Sequence, residues 1–309
     1  MLGKNATEME LAGTAGIAEA ASVLEAGGLV AVPTETVYGL AARADNAEAV
    51  AKIYAAKGRP DFNPLIVHVT GAEQAARLAH IGDAAADLMA EHWPGPLTLV
   101  LPKREGAGLA PAITAGLPSV AVRAPAHPVM RALLEACDFP LAAPSANRSG
   151  FISPTSAGHV METLNGRIDM VLDGGSCSAG LESTIAAVRE SGAIEILRPG
   201  PIVLEGSAEP NSDDTPIEAP GQLSSHYSPG KPVRLNADTA EADEFHIGFG
   251  GIAGECNLSA AGDLTEAAAS LYDCLHQAAA SEKHRVAIAP VPGEGIGAAI
   301  NDRLKRAAR

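Results

Sequence analysis

Two short runs place polar side chains two residues apart: Lys57 with Arg59 in AKGRPDFNPL, and Ser145 with Asn147 in PSANRSG. Extended backbone sends residues i and i+2 to one side, so each pair is expected to aim its groups into a single space. Arginine offers phosphate oxygens a planar fork and lysine a compact charge, while serine and asparagine can bond the remaining oxygens or a metal-bound water. That set suits a triphosphate. A solvated basic turn is the ordinary alternative for KGR taken alone. Arg123 closes the apolar run VAVR, where an arginine turned toward a cleft needs an anion, and a small carboxylate would serve. Arg198 closes a second such run, EILR. His68 lies inside LIVHV, where a lone histidine is more often a satisfied core residue than a ligand.

Other chemistries lack their residues. There is no GxSxG, no HExxH, no carboxylate cluster for zinc or paired metals, and no histidine beside a serine or cysteine in a nucleophile pattern. The four cysteines, Cys137, Cys177, Cys256 and Cys274, stand far apart without a CxxC, so neither a zinc site nor a disulfide framework is expected. A net charge of −15 and 3% aromatics argue against a general polyanion-binding surface. At 47% apolar and 19% charged the chain is globular, and no apolar run approaches bilayer length. The first residues, MLGKNATEMELAG, are unlike a secretory signal; the expectation is a cytoplasmic protein with no membrane contact.

Local signals place these residues at joints. A helix over 15–26 is stopped by Gly27-Gly28, a strand over 29–32 is cut by Pro33, and a polar turn fills 34–39. A second helix starts at Asp45 or Asn46, buries Val50, Ile53 and Tyr54, and ends at Gly58. Strands follow at 65–69, 97–101, 119–123, 141–143 and 170–172, with helices within 72–92 and over 128–137 and 156–164, and a hairpin over 183–197 turning at Ser191-Gly192. The absence of strict βαβ alternation predicts a twisted mixed sheet flanked by helices. At 309 residues two domains are expected: 1–205, a linker at 206–232 rich in Pro, Ser, Gly and Asp, and a smaller α/β domain at 233–309. GFGGIAG at Gly248 reads as a turn, because Ala253 takes the third glycine's place in GxGxxG.

The ordered motifs PTETVYGL, KxRP with NPLIVH, WPGPLT, VAVRxPxHP, APSANxSGxxSPT, DGG, GxESTI, LRPGP and APGxxxxHYSP, followed by GIGAAINDRL, resemble the YrdC-type threonylcarbamoyl-AMP synthases in their long form. The resemblance runs almost unbroken over 15–202 and resumes in the linker and near Arg303. It implies a YrdC-like sheet domain linked to a small Rossmann-like α/β domain. It also implies condensation of L-threonine, bicarbonate or CO2, and ATP to threonylcarbamoyl-AMP and pyrophosphate. A separate transferase would then pass the threonylcarbamoyl group to tRNA beside the anticodon, and a weak direct tRNA contact is possible.

By the same resemblance, Lys57, Arg59, Ser145 and Asn147 form the catalytic set at the phosphates, with Asn63, Ser119, Ser153, Arg198 and Tyr227 as further ATP contacts. Thr36, His68, Arg123, Ala143 and Ser183 correspond to threonine-binding positions. Mg2+ would be held by phosphates and water rather than by a protein cage, and SSHYSP would close as a lid. Two rivals keep the fold: carbamoyl transfer in hydrogenase maturation, for which the zinc CxxC pairs and acylphosphatase-like segment are missing, and a double-stranded RNA or tRNA-binding module. Gln222 and Ser228 stand where methionine and alanine are common, and Asp302 is inserted in NDRL.

Overall fold

The computed structural model describes residues 6–204, 207, 218–220 and 226–309. The chain begins with β1 (Glu8–Leu11), α1 (Thr14–Glu25), β2 (Val30–Val32), β3 (Gly39–Arg43), α2 (Ala47–Lys57) and β4 (Ile66–His68). Next come α3 (Ala72–Leu78), α4 (Asp83–His92), β5 (Leu97–Pro102), β6 (Ser119–Arg123), α5 (Pro128–Ala136) and β7 (Leu141–Ala142). The unit ends with α6 (Ala157–Leu164), β8 (Met170–Asp173), β9 (Thr184–Val188) and β10 (Ile194–Arg198). These strands form a ten-stranded mixed sheet in the order β1-β8-β2-β3-β7-β4-β6-β5-β9-β10. A second, parallel sheet, β11-β14-β12-β13, comprises β11 (Val233–Arg234), β12 (Glu244–Gly248), β13 (Cys256–Asn257) and β14 (Arg285–Ile288), with α7 (Leu264–Ala280) and α8 (Ile296–Ala307).

The two faces of the large sheet are covered differently. Leu40, Val67, Leu99 and Val122 face the main core, where Val50 and Ile53 of α2, Leu78 of α3, Leu88 of α4 and Val160 of α6 pack on them. On the opposite face, Val30, Val32, Leu141 and Met170 meet Leu24 of α1 and Leu133 of α5. The rest of that face is Ile66, Val100, Ala121, Ile185, Ala187 and Leu197, and the linker residue Ala219 packs on it. Strand alternation puts His68 on this side with Ile66, and Ser119 and Arg123 there with Ala121. A fourth apolar cluster joins the units: Val37, Ile152, Leu181 and Tyr227 pack with Phe245, Leu271 and Tyr272.

Local chemistry explains several boundaries. Asn46 Oδ1 accepts from the Glu48 and Ala49 amides at 3.0 Å each, so Asn46 rather than Asp45 caps α2. Gly58 leaves that helix in the left-handed region, φ 61°. Lys57 and Arg59 are therefore not on one extended strand, and the expected shared side does not form. The strands β1 and β3 lie where the sequence gives no strand pattern: EMEL is exposed along its length, and GLAAR is low in β-branched residues. Pairing with β8, and with β2 and β7, supplies what propensity does not. The cysteine expectation is corrected too. Cys256 and Cys274 form a disulfide, Cα–Cα 5.8 Å, because β13 crosses α7 there, a proximity that spacing along the chain does not reveal. Cys137 and Cys177 are free and buried.

Asn46→Ala removes the acceptor of both backbone amides at the start of the helix that carries Lys57. It is expected to lower stability by about 1 kcal/mol in urea unfolding, with Asn46→Asp close to wild type.

Candidate active site

The turn after β2 organises itself. Thr34 Oγ1 donates to the Val37 carbonyl at 2.7 Å and accepts the Thr36 and Val37 amides, each at 3.2 Å. Thr36 is thereby held inward, fully buried, 2.8 Å from Thr34 Oγ1. The parallel register of β4 and β6 pairs His68 with Arg123. Arg123 donates from Nη1 to Thr36 Oγ1 at 3.0 Å, from Nε to the Gly95 carbonyl at 3.2 Å, and from Nη2 to Glu35 Oε1 at 2.6 Å. The anion that Arg123 requires is therefore already supplied by Glu35, a residue the sequence reading left unassigned; N–H groups on both Nη atoms remain for a ligand carboxylate.

These residues open onto one cleft, whose non-atom space, open solvent at its mouth included, is about 560 Å³. Thr36, Arg59, His68, Arg123, Ala143, Ser145, Ser183, Arg198 and Tyr227 all line it, as do Thr34, Glu182, Pro220 and His226. It lies on the sheet face that α1 and α5 cover in part, beside the patch under Ala219.

The other anticipated residues stand behind or beside it. Lys57 is buried and donates to the Ser145 and Asn147 carbonyls at 2.5 Å each, so it braces the cavity wall rather than facing inward. Asn147 turns its amide to the Arg148 and Phe151 carbonyls, 2.8 Å each. Asn63 is buried, and its carbonyl receives Arg59 Nε and the Tyr54 hydroxyl. Ser153 donates to Glu182 Oε1 at 2.5 Å. Ser119 shares the Arg123 face but lies at the other end of β6, in a neighbouring groove with Arg189 and Glu218. Of the linker, Gln222, Ser224 and Ser225 lie outside the described residues. Tyr227 is described: it is buried, has φ 66°, meets the His226 ring edge-on with centroids 4.1 Å apart, and its ring lies 5.4 Å from the Arg303 guanidinium carbon.

Charge in this cavity is set by burial and neighbours. Burial, with Arg123 close by, holds His68 at about 3, and burial likewise holds His226 at about 3, so both rings are neutral near pH 7. Burial lowers Arg59 to about 10 and pushes Lys57 well down, with Arg59 adding repulsion. Burial favours the protonated form of Glu182, but the charges of Arg303 and Arg198 and the hydrogen bonds from Ser153 and Arg303 outweigh it, leaving the carboxyl at about 2. Burial is similarly overcome by Arg123 at Glu35, whose carboxyl is lowered. Two buried ring nitrogens on the cavity wall, His68 Nδ1 and His226 Nδ1, and two amide oxygens behind it, Asn63 Oδ1 and Asn147 Oδ1, have no hydrogen-bond partner among the described residues. Such atoms are rare in interiors and suit a polar ligand. Away from the cavity, ligand atoms of His159, Glu162 and His276 fall within 4.8 Å of one another. Their imidazoles stack at 3.8 Å and 6°, so the in-plane lone pairs run side by side rather than converge on one ion.

Fold and cavity together define a two-domain α/β protein with a cleft lined by the guanidinium groups of Arg59, Arg123 and Arg198. The family model described as "Telomere recombination" matches residues 22–200, and that described as "Threonylcarbamoyl-AMP synthase, C-terminal domain" matches 183–309. A Bacillus subtilis threonylcarbamoyl-AMP synthase is 38% identical over 94% of this chain and 92% of its own length. A Pyrococcus abyssi threonylcarbamoyl-AMP synthase is 46% identical over 69% of this chain and 66% of its own. The crystal structure of the P. abyssi protein complexed with L-threonine superposes with a TM-score of 0.88 at 36% identity, covering 98% of this chain and 96% of that one. The chain belongs to the threonylcarbamoyl-AMP synthase family, in its two-domain form.

The depressed histidines make stability depend on acid. Unfolded histidines take protons near pH 6.5, whereas His68 and His226 resist to about 3, and His159 and His276, lowered chiefly by burial, to about 4. Their contribution is fully present above pH 6.5 and is lost as pH falls toward 4, at about 1.4 kcal/mol per pH unit for each proton of difference. Urea midpoints are expected to fall steadily from pH 7 to 4.5; a flat profile would contradict the buried neutral rings.

Proposed function

We propose that the cavity condenses L-threonine, CO2 drawn from bicarbonate, and ATP into threonylcarbamoyl-AMP and pyrophosphate. The observation that carries this reading is the joining of two subsites in one cavity. Arg123, Thr36 and His68 form one end, and Arg59, Ser145 and Arg198 line the same space. Fold similarity to a threonine-bound relative over nearly the whole chain supports the assignment of the first end to threonine.

The threonine carboxylate would take the remaining Arg123 donors, as charge-assisted bonds favour. Neutral His68, with Nδ1 unpartnered among the described residues, is available to the threonine hydroxyl or amine. The amine adds to CO2, losing a proton and becoming a carbamate. A carbamate oxygen then attacks the α-phosphorus of ATP as the bond to the departing pyrophosphate breaks. Arg59, Arg198 and the Ser145 hydroxyl would orient and neutralise the phosphates, with Asn63, Ser119, Asn147 and Ser153 supporting or extending that surface, since such transfer depends chiefly on position and charge. Lys57 would act one step removed, by fixing the Ser145 and Asn147 carbonyls. The cavity's carboxylate, Glu182, is already bonded by Ser153, Tyr272 and Arg303, so the donor set present fits phosphate better than a cation. Mg2+ would enter with the nucleotide.

Pro220, His226 and Tyr227, which line the cavity, would keep water from the labile carbamate and adenylate. We place this activity in the cytoplasm, upstream of a transferase acting on tRNA; among the described residues no helix is long and apolar enough to cross a membrane.

Pyrophosphate release should require both threonine and bicarbonate, and independence from either would overturn the reading. Arg59→Ala and Arg123→Ala should each lower kcat/KM about tenfold to a hundredfold, the loss of about 1.5 to 3 kcal/mol of charge-assisted bonding. Arg123→Ala should act mainly through threonine and Arg59→Ala through ATP, as separate KM titrations would report.

A further inference from the structure

The cavity wall contains one carboxylate among several guanidinium groups, and two of its three partners come from the second unit. Glu182 Oε1 accepts the Ser153 hydroxyl, whereas Oε2 accepts the Tyr272 hydroxyl of α7 at 2.8 Å and Arg303 Nε of α8 at 2.9 Å. Arg303 is fully buried. Its other nitrogens reach the Pro199 carbonyl at 3.0 Å and Asp302 Oδ2 at 2.7 Å, and its guanidinium carbon lies over the Tyr227 ring. The approach is close because Gly180, two residues before Glu182, has φ 68° and would place a Cβ 2.4 Å from the Ala268 carbonyl oxygen of α7.

We propose that Arg303 is a positioning residue for the nucleotide end of the site: it cancels the Glu182 charge in the wall and fixes the loops that carry Ser183, Arg198 and Tyr227. The inference rests on the synthase reading above. Glu182 precedes Ser183, and Pro199 follows Arg198, so one guanidinium ties together the two strand ends that border the cavity. Arg198 in turn donates to the Ser183 carbonyl at 2.9 Å and to its hydroxyl at 3.2 Å. Removing one partner of a buried ion pair leaves an uncompensated charge. Here that charge would face the incoming triphosphate and oppose it.

The consequence is an effect on ATP rather than on threonine, and one that responds to proton concentration. The charged and titratable groups facing Glu182 are Arg303 and Asp302 of α8, Tyr272 of α7, Arg198 of β10, and His226 and Tyr227 of the linker. Without Arg303, protonation of the buried carboxyl relieves the repulsion, so the defect should shrink as pH falls.

The test uses the full chain as R303M, E182Q and E182Q/R303M, measuring pyrophosphate release against ATP concentration from pH 6 to 8.5, with urea unfolding as a check on folding. R303M is expected to raise KM for ATP about tenfold or more at pH 8, less at pH 6, with KM for threonine within about threefold, while E182Q/R303M recovers most of the loss. Equal impairment of R303M and the double variant at every pH, with both folded, would overturn the proposal. So would an unchanged KM for ATP in R303M. If R303M does not fold, the double variant decides, since it leaves neither charge buried: near-normal KM for ATP supports the proposal and failure to bind ATP overturns it. Failure of the synthase reading itself would show separately, as wild-type release that ignores threonine and bicarbonate.

Discussion

A sheet has two faces to keep from water, and the helices here cover one face and part of the other. Over β4, β6, β5 and β9, a linker residue, Ala219, and the cavity meet the second face among the described residues. The site occupies a part of that face on which no described helix packs. Small and branched side chains, Ile66, Ala121, Ile185 and Ala187, form the patch beside it, while His68 and Arg123 rise from the same strands next to them. Ser119 and Arg123 mark the two ends of one strand face, about 13 Å apart at four strand steps, so Ser119 falls in the neighbouring groove and Arg123 in the cavity.

Burying cations beside that patch requires compensation, and each is compensated differently. Arg123 has a carboxylate, Glu35; Lys57 has two backbone carbonyls; Arg59 and Arg198 have carbonyls, with Ser183 added for Arg198. Carbonyl oxygens satisfy hydrogen bonds without cancelling charge. Arg59 and Arg198 therefore keep a field that attracts anions, and Lys57 stiffens the wall behind them. The division between held-and-cancelled and held-but-uncancelled charge separates framework from binding surface more clearly than residue type does.

How much of this the sequence shows depends on how far apart the interacting residues lie. Helix α2 was legible because its signals are local: an Asn cap, a buried face, and a glycine end. The hairpin β9–β10 and its Ser191-Gly192 turn were legible for the same reason. The strand β3 was not, since GLAAR becomes a strand through neighbours contributed from elsewhere. The two-residue spacing of Lys57 and Arg59 misled because the left-handed Gly58 lies between them and breaks the assumed extension. Resemblance found most cavity-lining residues, but it carried no account of Glu35 or Glu182. Their roles are fixed by Arg123, 88 residues on, and by Arg303, 121 residues on. The Cys256–Cys274 pairing was hidden likewise.

The 121-residue separation of Glu182 and Arg303 also has a meaning in time. A ribosome adding roughly 5 to 20 residues per second exposes the carboxylate well before the guanidinium that pairs with it. For that interval the large sheet can form, but its cavity wall holds an unpartnered charge and the apolar side chains Val37, Ile152 and Leu181 still lack their cover. The apolar cover arrives first, with β12 and α7, and the charge partner of the carboxylate comes last, with α8.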